Sequence, residues 1–126
     1  FTTSFNREKI CTLLEVLCDD LKNENELARA LRKLRKHLIL KLILRDFGGL
    51  ADLDEVMQTM STLAEICVQY AQNCLSNVLQ PKFGFPIGED SHTRQQLLII
   101  GMGKLGGNEL NVSSDIDLIF VYPEDG

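Results

Sequence analysis

Two aspartates spaced two apart behind a run of glycines constrain this chain more than any other feature. The stretch reads Leu97-Leu98-Ile99-Ile100, Gly101-Met102-Gly103-Lys104-Leu105-Gly106-Gly107, Asn108-Glu109-Leu110-Asn111-Val112-Ser113-Ser114, Asp115-Ile116-Asp117-Leu118-Ile119-Phe120-Val121-Tyr122. Its pattern predicts a strand, a glycine-rich turn, a short polar connection and a second strand running from Asp115 to Tyr122. Strand periodicity puts the carboxylates of Asp115 and Asp117 on one face, with Ile116, Leu118 and Phe120 contributing to burial. Neighbouring like charges need a cation between them, and a hard, oxygen-seeking ion such as Mg²⁺ meets that need while keeping positions open for phosphate oxygens. Gly106 and Gly107, lacking Cβ atoms, let the backbone approach a phosphate and direct N–H groups at it. Either half alone is an ordinary turn or a solvated strand entrance. Their succession at this distance is what points to a site.

Two other phosphate motifs compete for the same glycines. Gly101-Met102-Gly103-Lys104-Leu105-Gly106 matches G-x-G-x-x-G, the dinucleotide fingerprint. That unit needs a parallel crossover of at least ~10 to 12 residues including its helix, and only seven residues separate Gly107 from Asp115. A P-loop is excluded because Leu105, not Ser or Thr, follows Lys104, and Leu98 stands where its first glycine belongs.

A Gly-Gly turn followed by an Asp-x-Asp strand resembles the nucleotidyltransferase superfamily of DNA polymerase β type. Gly101 to Gly107, with Glu109-Leu110-Asn111 and Ser113-Ser114-Asp115-Ile116-Asp117-Leu118-Ile119-Phe120, is similar to the bifunctional glutamine synthetase adenylyltransferase/adenylyl-removing enzymes. Arg45-Asp46-Phe47-Gly48-Gly49-Leu50-Ala51-Asp52-Leu53 resembles the family's segment upstream of the motif. The family carries two copies, and the Glu-Leu-Asn-x-Ser-Ser-Asp-Ile-Asp form is closer to the N-terminal, deadenylylating one. The resemblance implies an α+β fold, a helical N-terminal part followed by the start of a polymerase-β-like sheet, incomplete here because the third metal carboxylate lies on a later strand. The chain begins at Phe1 without Met and stops at Gly126 soon after a strand, so it reads as part of a longer protein, inactive by itself. Its expected divisions are a helical segment over 1–80, a linking loop over 81–95 and the truncated start of the catalytic core over 96–126.

The implied chemistry is phosphorolytic removal of AMP from an adenylylated tyrosine of glutamine synthetase, giving ADP. Asp115 and Asp117 would hold Mg²⁺, the amides of Gly106 and Gly107 would meet phosphate, and Ser114 and Lys104 would add a hydroxyl and an ammonium. Asn111 is expected to shape the turn. The alternatives are the ATP-dependent adenylylating copy, or a non-catalytic helical regulatory module keeping a nucleotidyltransferase remnant. A PII signalling protein is the implied regulatory partner, and nothing in these residues shows where it would dock.

Composition narrows the partners. A net charge of −5 leaves no broad cationic surface for nucleic acid, and Arg29, Arg32, Lys33, Arg35 and Lys36 read as a solvated helix face. No apolar run reaches ~18 residues, so no membrane role is expected. Cys11, Cys18, Cys67 and Cys74 form no C-x-x-C and fall on apolar helical positions, the usage of reduced thiols in a cytoplasm.

Upstream, three amphipathic helices are expected. The first covers Asn6 to Leu21 and is ended by Lys22-Asn23-Glu24-Asn25. A second spans Glu26 to Asp46, with Leu27, Leu31, Leu34, Leu38 and Leu42 in one stripe, stopped by Gly48-Gly49. The third follows an Asp52 cap with Glu55 reaching back, carries Val56, Met60, Leu63, Cys67, Tyr70, Cys74 and Val78 to about Leu79, and is ended by Pro81. Arg45 is expected to pair locally rather than reach the site. Phe83 and Phe85 are expected to pack on the sheet rather than cover a nucleotide base.

Overall fold

The computed structural model describes residues 3–19 and 23–126. Helix α1 (Arg7–Leu17) starts where the Asn6 side chain accepts the Lys9 N–H at 3.0 Å, and it buries Ile10 and Leu14, one turn apart. It ends at Leu17, with Cys18 as its C-cap, short of the predicted end at Leu21, which with Lys22 lies outside the described residues. The polar stretch after it starts the next helix: Asn23 caps α2 (Glu24–Phe47) by accepting the Glu26 N–H at 3.0 Å, and Glu24 and Asn25 lie within that helix. Asn is a strong N-cap, and glutamates in a first turn face the positive end of the helix dipole, so a polar run here starts a helix more readily than it ends one. Leu27, Ala30, Leu34, Leu38 and Leu42 form the buried face of α2.

Helix α3 (Leu53–Phe83) is capped by Asp52, whose carboxylate accepts the Glu55 N–H at 2.8 Å. Glu55 does not complete a capping box. Its carboxylate turns to the buried Arg45, accepting from Nε at 2.9 Å and from one terminal nitrogen at 3.0 Å, while that same nitrogen also donates to the Leu50 carbonyl at 2.8 Å. Arg45 thus pairs locally, joining the end of α2 to the start of α3. Pro81 does not end α3 but sits in its last turn. Proline removes one main-chain donor and crowds the carbonyl four residues earlier, a loss confined to a single turn. The helix runs two residues further, to Phe83, and closes on Gly84, at φ +77°, whose N–H donates to the Gln80 carbonyl at 2.9 Å. The buried face of α3 stops earlier than its stripe of apolar residues, and Val78 and Leu79 are exposed.

The three helices pack pairwise around Ile10, Leu14, Leu34, Leu38, Leu42, Met60, Leu63 and Ile66. Strand β1 (Leu98–Gly101) leads into the single turn α4 (Gly103–Gly106), and β2 (Leu118–Val121) returns antiparallel to β1, pairing Leu98 with Val121 and Gly101 with Leu118. Antiparallel pairing leaves no place for the parallel crossover of a dinucleotide unit. The α+β order, helices and then the beginning of a sheet, is the one expected. Leu105 and Leu110 from the glycine-rich half join the helical core, so one hydrophobic cluster spans both parts of the chain. Gln72 of α3 also donates to the Leu97 carbonyl at 2.6 Å, holding β1 against the helix.

Burial in the ribbon departs from expectation. Leu118 is half-buried, but Ile116 and Phe120 are exposed, because a two-stranded ribbon has few neighbours to cover it. Phe83 is exposed rather than packed on the sheet, and Phe85 lies under the Arg94 guanidinium, 3.3 Å from its ring centre. Beyond β2, Glu124 accepts the N–H groups of Asp90 and Ser91 and the Gln95 amide, closing the loop between α3 and β1. The Ser91 hydroxyl foremost, with the Ser91 and Asp90 N–H groups, holds the Glu124 carboxyl below the usual range. No helix among the described residues is long and apolar enough to cross a membrane.

Candidate metal and phosphate site

Three glycines make the turn after β1 possible, each for its own reason. Gly103 has φ +56°, a left-handed backbone that suits a residue without Cβ. A Cβ on Gly101 would stand 2.8 Å from the Leu105 side chain, which folds back over it. One on Gly106 would stand 2.7 Å from the Gly101 carbonyl oxygen. The short helix α4 therefore lies directly on the end of β1, with Leu105 turned into the core.

The amides assigned to phosphate are used within the turn itself. Gly106 N–H faces the Met102 carbonyl at 3.4 Å, and Gly107 N–H donates to the Gly103 carbonyl at 3.0 Å. A four-residue turn closes by using those donors, so in this conformation Gly106 and Gly107 shape the site rather than point into it. Lys104, exposed on α4, has no ion pair among the described residues.

After Asn108, which takes φ +59°, the chain enters the helical core through Leu110. The Leu110 N–H donates to the buried Ser61 hydroxyl at 3.3 Å. Asn111 then organises the approach to the aspartates: its side-chain oxygen accepts the Ser113 N–H at 3.1 Å, the Ser113 hydroxyl at 3.0 Å and the Ser114 hydroxyl at 2.9 Å. Ser114 returns the contact, its oxygen accepting the Asn111 N–H at 3.2 Å. The Ser114 hydroxyl is thus engaged within the turn, with Asn111 as its partner. Asn111 shapes the turn, as expected of an Asx side chain.

Asp115 and Asp117 precede β2 rather than open it, since pairing begins at Leu118. Gly101 is the last residue of β1, and beyond it the turn has no strand to offer as a partner, so the ladder stops there. Asp117 is nonetheless held at the bend, because its carbonyl accepts the Met102 N–H at 2.9 Å. Both side chains are exposed, and neither accepts a hydrogen bond or pairs with a cation among the described residues. Two unengaged carboxylates are oxygen donors of the kind Mg²⁺ takes, so the residues present fit that ion. Among the described residues no group of three His, Cys, Asp or Glu side chains is placed to hold a metal.

Two residues read from the sequence only as part of a solvated helix face are neighbours of the site. Arg32 and Arg35 belong to the exposed basic face of α2, yet with Ser114 and Asp115 they line a cavity of about 300 Å³ between α2, α3 and the segment before β2. Arg35 donates to the Val112 carbonyl at 3.4 Å. Their spacing of three was visible in the sequence, but the direction in which α2 presents that face was not.

Comparison with known proteins gives this arrangement a family. Residues 4–126 match the family model described as glutamate-ammonia ligase adenylyltransferase. A protein of Nitrosomonas eutropha named bifunctional glutamine synthetase adenylyltransferase/adenylyl-removing enzyme is 53% identical over 97% of this chain and 13% of its own length. A protein of the same name from Chromobacterium violaceum is 61% identical over 79% of the chain and 11% of its own length. The chain thus spans about an eighth of the curated relatives it matches. With nearly its whole length matched, glycine turn and aspartate pair included, the chain belongs to the glutamate-ammonia ligase adenylyltransferase family.

Proposed function

We propose that the protein carrying this chain transfers an adenylyl group on glutamine synthetase, in the direction of removal: inorganic phosphate attacks the phosphorus of an AMP-tyrosine. A bond forms from phosphate oxygen to phosphorus, the bond to the tyrosyl oxygen breaks, that oxygen gains a proton, and ADP leaves. The observation that carries the reading is the pair of unengaged carboxylates, Asp115 and Asp117, anchored to the glycine turn by the Met102–Asp117 main-chain bond.

Asp115 and Asp117 would hold Mg²⁺, which when bound supplies positive charge against the repulsion between two phosphate groups and on the leaving oxygen. Lys104, on the exposed side of α4, adds a cation within the same turn. Gly101, Gly103 and Gly106 keep the turn tight enough for Met102 to reach Asp117. The attacking phosphate is already ionised, so the site needs no strong base, in keeping with a motif that has no histidine. Control by a PII signalling protein and a cytoplasmic setting accompany this reading.

The test uses the full-length protein with adenylylated glutamine synthetase. Asp115→Asn and Asp117→Asn should each lower phosphate-dependent ADP formation by about a hundredfold or more, the scale of losing one preorganised electrostatic contact, with the circular dichroism spectrum unchanged. Full activity in either variant refutes the role. A requirement for ATP instead of phosphate would assign the chain to the adenylylating direction.

A further inference from the structure

The cavity beside Asp115 has a floor and a rim of different chemistry. Its floor is apolar, formed by Leu31 of α2 and by Met60, Leu63 and Ala64 of α3. Its rim carries Arg32, Arg35 and Asp115. We propose that this cavity is the subsite for the adenine nucleotide, the base lying on the apolar floor and the phosphate directed to the two arginines. The proposal rests on the adenylyl-transfer reading above and supplies what that reading leaves open, the place of the nucleotide.

Size, charge and connectivity support it. About 300 Å³ is at the lower end of small-molecule sites and suits one nucleoside. A purine gains by removing its flat faces from water against Leu31 and Ala64, which are only partly buried and lie over the buried Met60 and Leu63. Arg32 and Arg35 stand three residues apart on one side of α2. Arg32 has no hydrogen bond or ion pair among the described residues, and Arg35 commits a single terminal nitrogen to the Val112 carbonyl. Guanidinium groups with free donors take phosphate oxygens two at a time. Asp115 also lines the cavity, so a nucleotide seated there can bring its phosphate beside the carboxylate assigned to the ion.

That last contact makes a distinguishing demand. A phosphate next to an ionised Asp115 is repelled until a divalent cation intervenes, so Mg²⁺ should raise the affinity for AMP and leave that for adenosine unchanged. The experiment titrates the full-length protein with AMP, adenosine and ribose 5-phosphate, with and without Mg²⁺, and maps the peptide labelled by photoactivated 8-azido-AMP. Expected results are labelling within α3 near Met60 to Cys67, AMP bound about tenfold more tightly than ribose 5-phosphate, and loss of about that factor in Ala64→Phe, which fills the floor. Arg32→Ala, a change at an exposed and unpartnered side chain, should weaken AMP several-fold and spare adenosine, with Arg32→Lys restoring part of the loss.

Labelling elsewhere, equal binding of AMP and ribose 5-phosphate, or protection by phenyl phosphate in place of AMP each overturns the proposal. If these occur while Asp115→Asn still abolishes phosphorolysis, the reaction stands and the subsite falls. If the nucleotide maps here but Asp115→Asn is fully active, the subsite stands and the reaction falls.

Discussion

The main-chain N–H of Leu110 donates to the hydroxyl of Ser61 at 3.3 Å, across a helix–loop contact in which both residues are buried. This bond joins the helical half of the chain to the segment that leads, five residues on, to Asp115. Ser61→Ala would leave a buried donor without an acceptor, a loss of about 1–3 kcal/mol. Leu110→Ala should cost about 2–5 kcal/mol, since it also empties a fully packed site. Both are read by urea unfolding of the chain, and a Ser61→Ala stability equal to wild type would show that the hydroxyl carries no weight in docking the loop.

The adjoining glycines Gly106 and Gly107 should behave differently. A Cβ at Gly106 meets a main-chain oxygen at 2.7 Å, which cannot move without shifting β1 or α4. At Gly107 its nearest contact is 3.5 Å and φ is −84°. Gly106→Ala is therefore expected to destabilise the turn and weaken the Mg²⁺ binding proposed for Asp115 and Asp117, while Gly107→Ala is tolerated. Thermal unfolding and Mg²⁺ titration of the two variants check this, and equal behaviour would contradict the packing described.

Arg45 and Glu55 form a two-point ion pair at the junction of α2 and α3, with the Arg45 side chain only 4% exposed. Glu55→Ala would take away the carboxylate that neutralises the buried guanidinium, leaving it the Leu50 carbonyl as a neutral acceptor. The expected loss is about 3–5 kcal/mol. A double replacement by Met and Leu should recover much of it, because the desolvated charge goes as well. Chemical denaturation of both variants tests the pair, and a Glu55→Ala loss within ~0.5 kcal/mol, the range of ordinary surface changes, would show it to be dispensable.

Two of the free cysteines, Cys18 and Cys67, give the stability an alkaline limit. Burial raises the Cys67 thiol to about 11, and burial likewise raises Cys18 and Tyr70. The unfolded thiol ionises near 9.0. Between these values the unfolded chain has lost a proton that the folded chain keeps, so stability present below pH 9 is lost as pH rises toward 11. Unfolding free energies measured across that range should fall, and Cys67→Ala should flatten the slope. A pH-independent stability from 9 to 11 would argue against a partly buried, neutral thiol at Cys67.

Much of this architecture was legible because it depends on local spacing. Leu27, Leu34, Leu38 and Leu42 announce one face of α2, and Asp52 announces the start of α3. What misled were residues whose local signal has two readings. Asn23 and Glu24 are polar and also good helix starters, Pro81 breaks a helix only where turns remain to be broken, and Glu55 had a buried arginine to satisfy before its own backbone.

From the order of its residues alone, this chain determined three apolar helical stripes, a glycine bend and two carboxylates behind it, because periodicity and missing Cβ atoms act between neighbours. The fold alone decided that the Gly106 and Gly107 amides and the Ser114 hydroxyl are consumed inside the turn, while Arg32 and Arg35, some eighty residues before Asp115, share a cavity with it. Hydrogen-bond donors are assigned by whichever acceptors the tertiary packing brings within reach, and that competition is invisible along a linear chain.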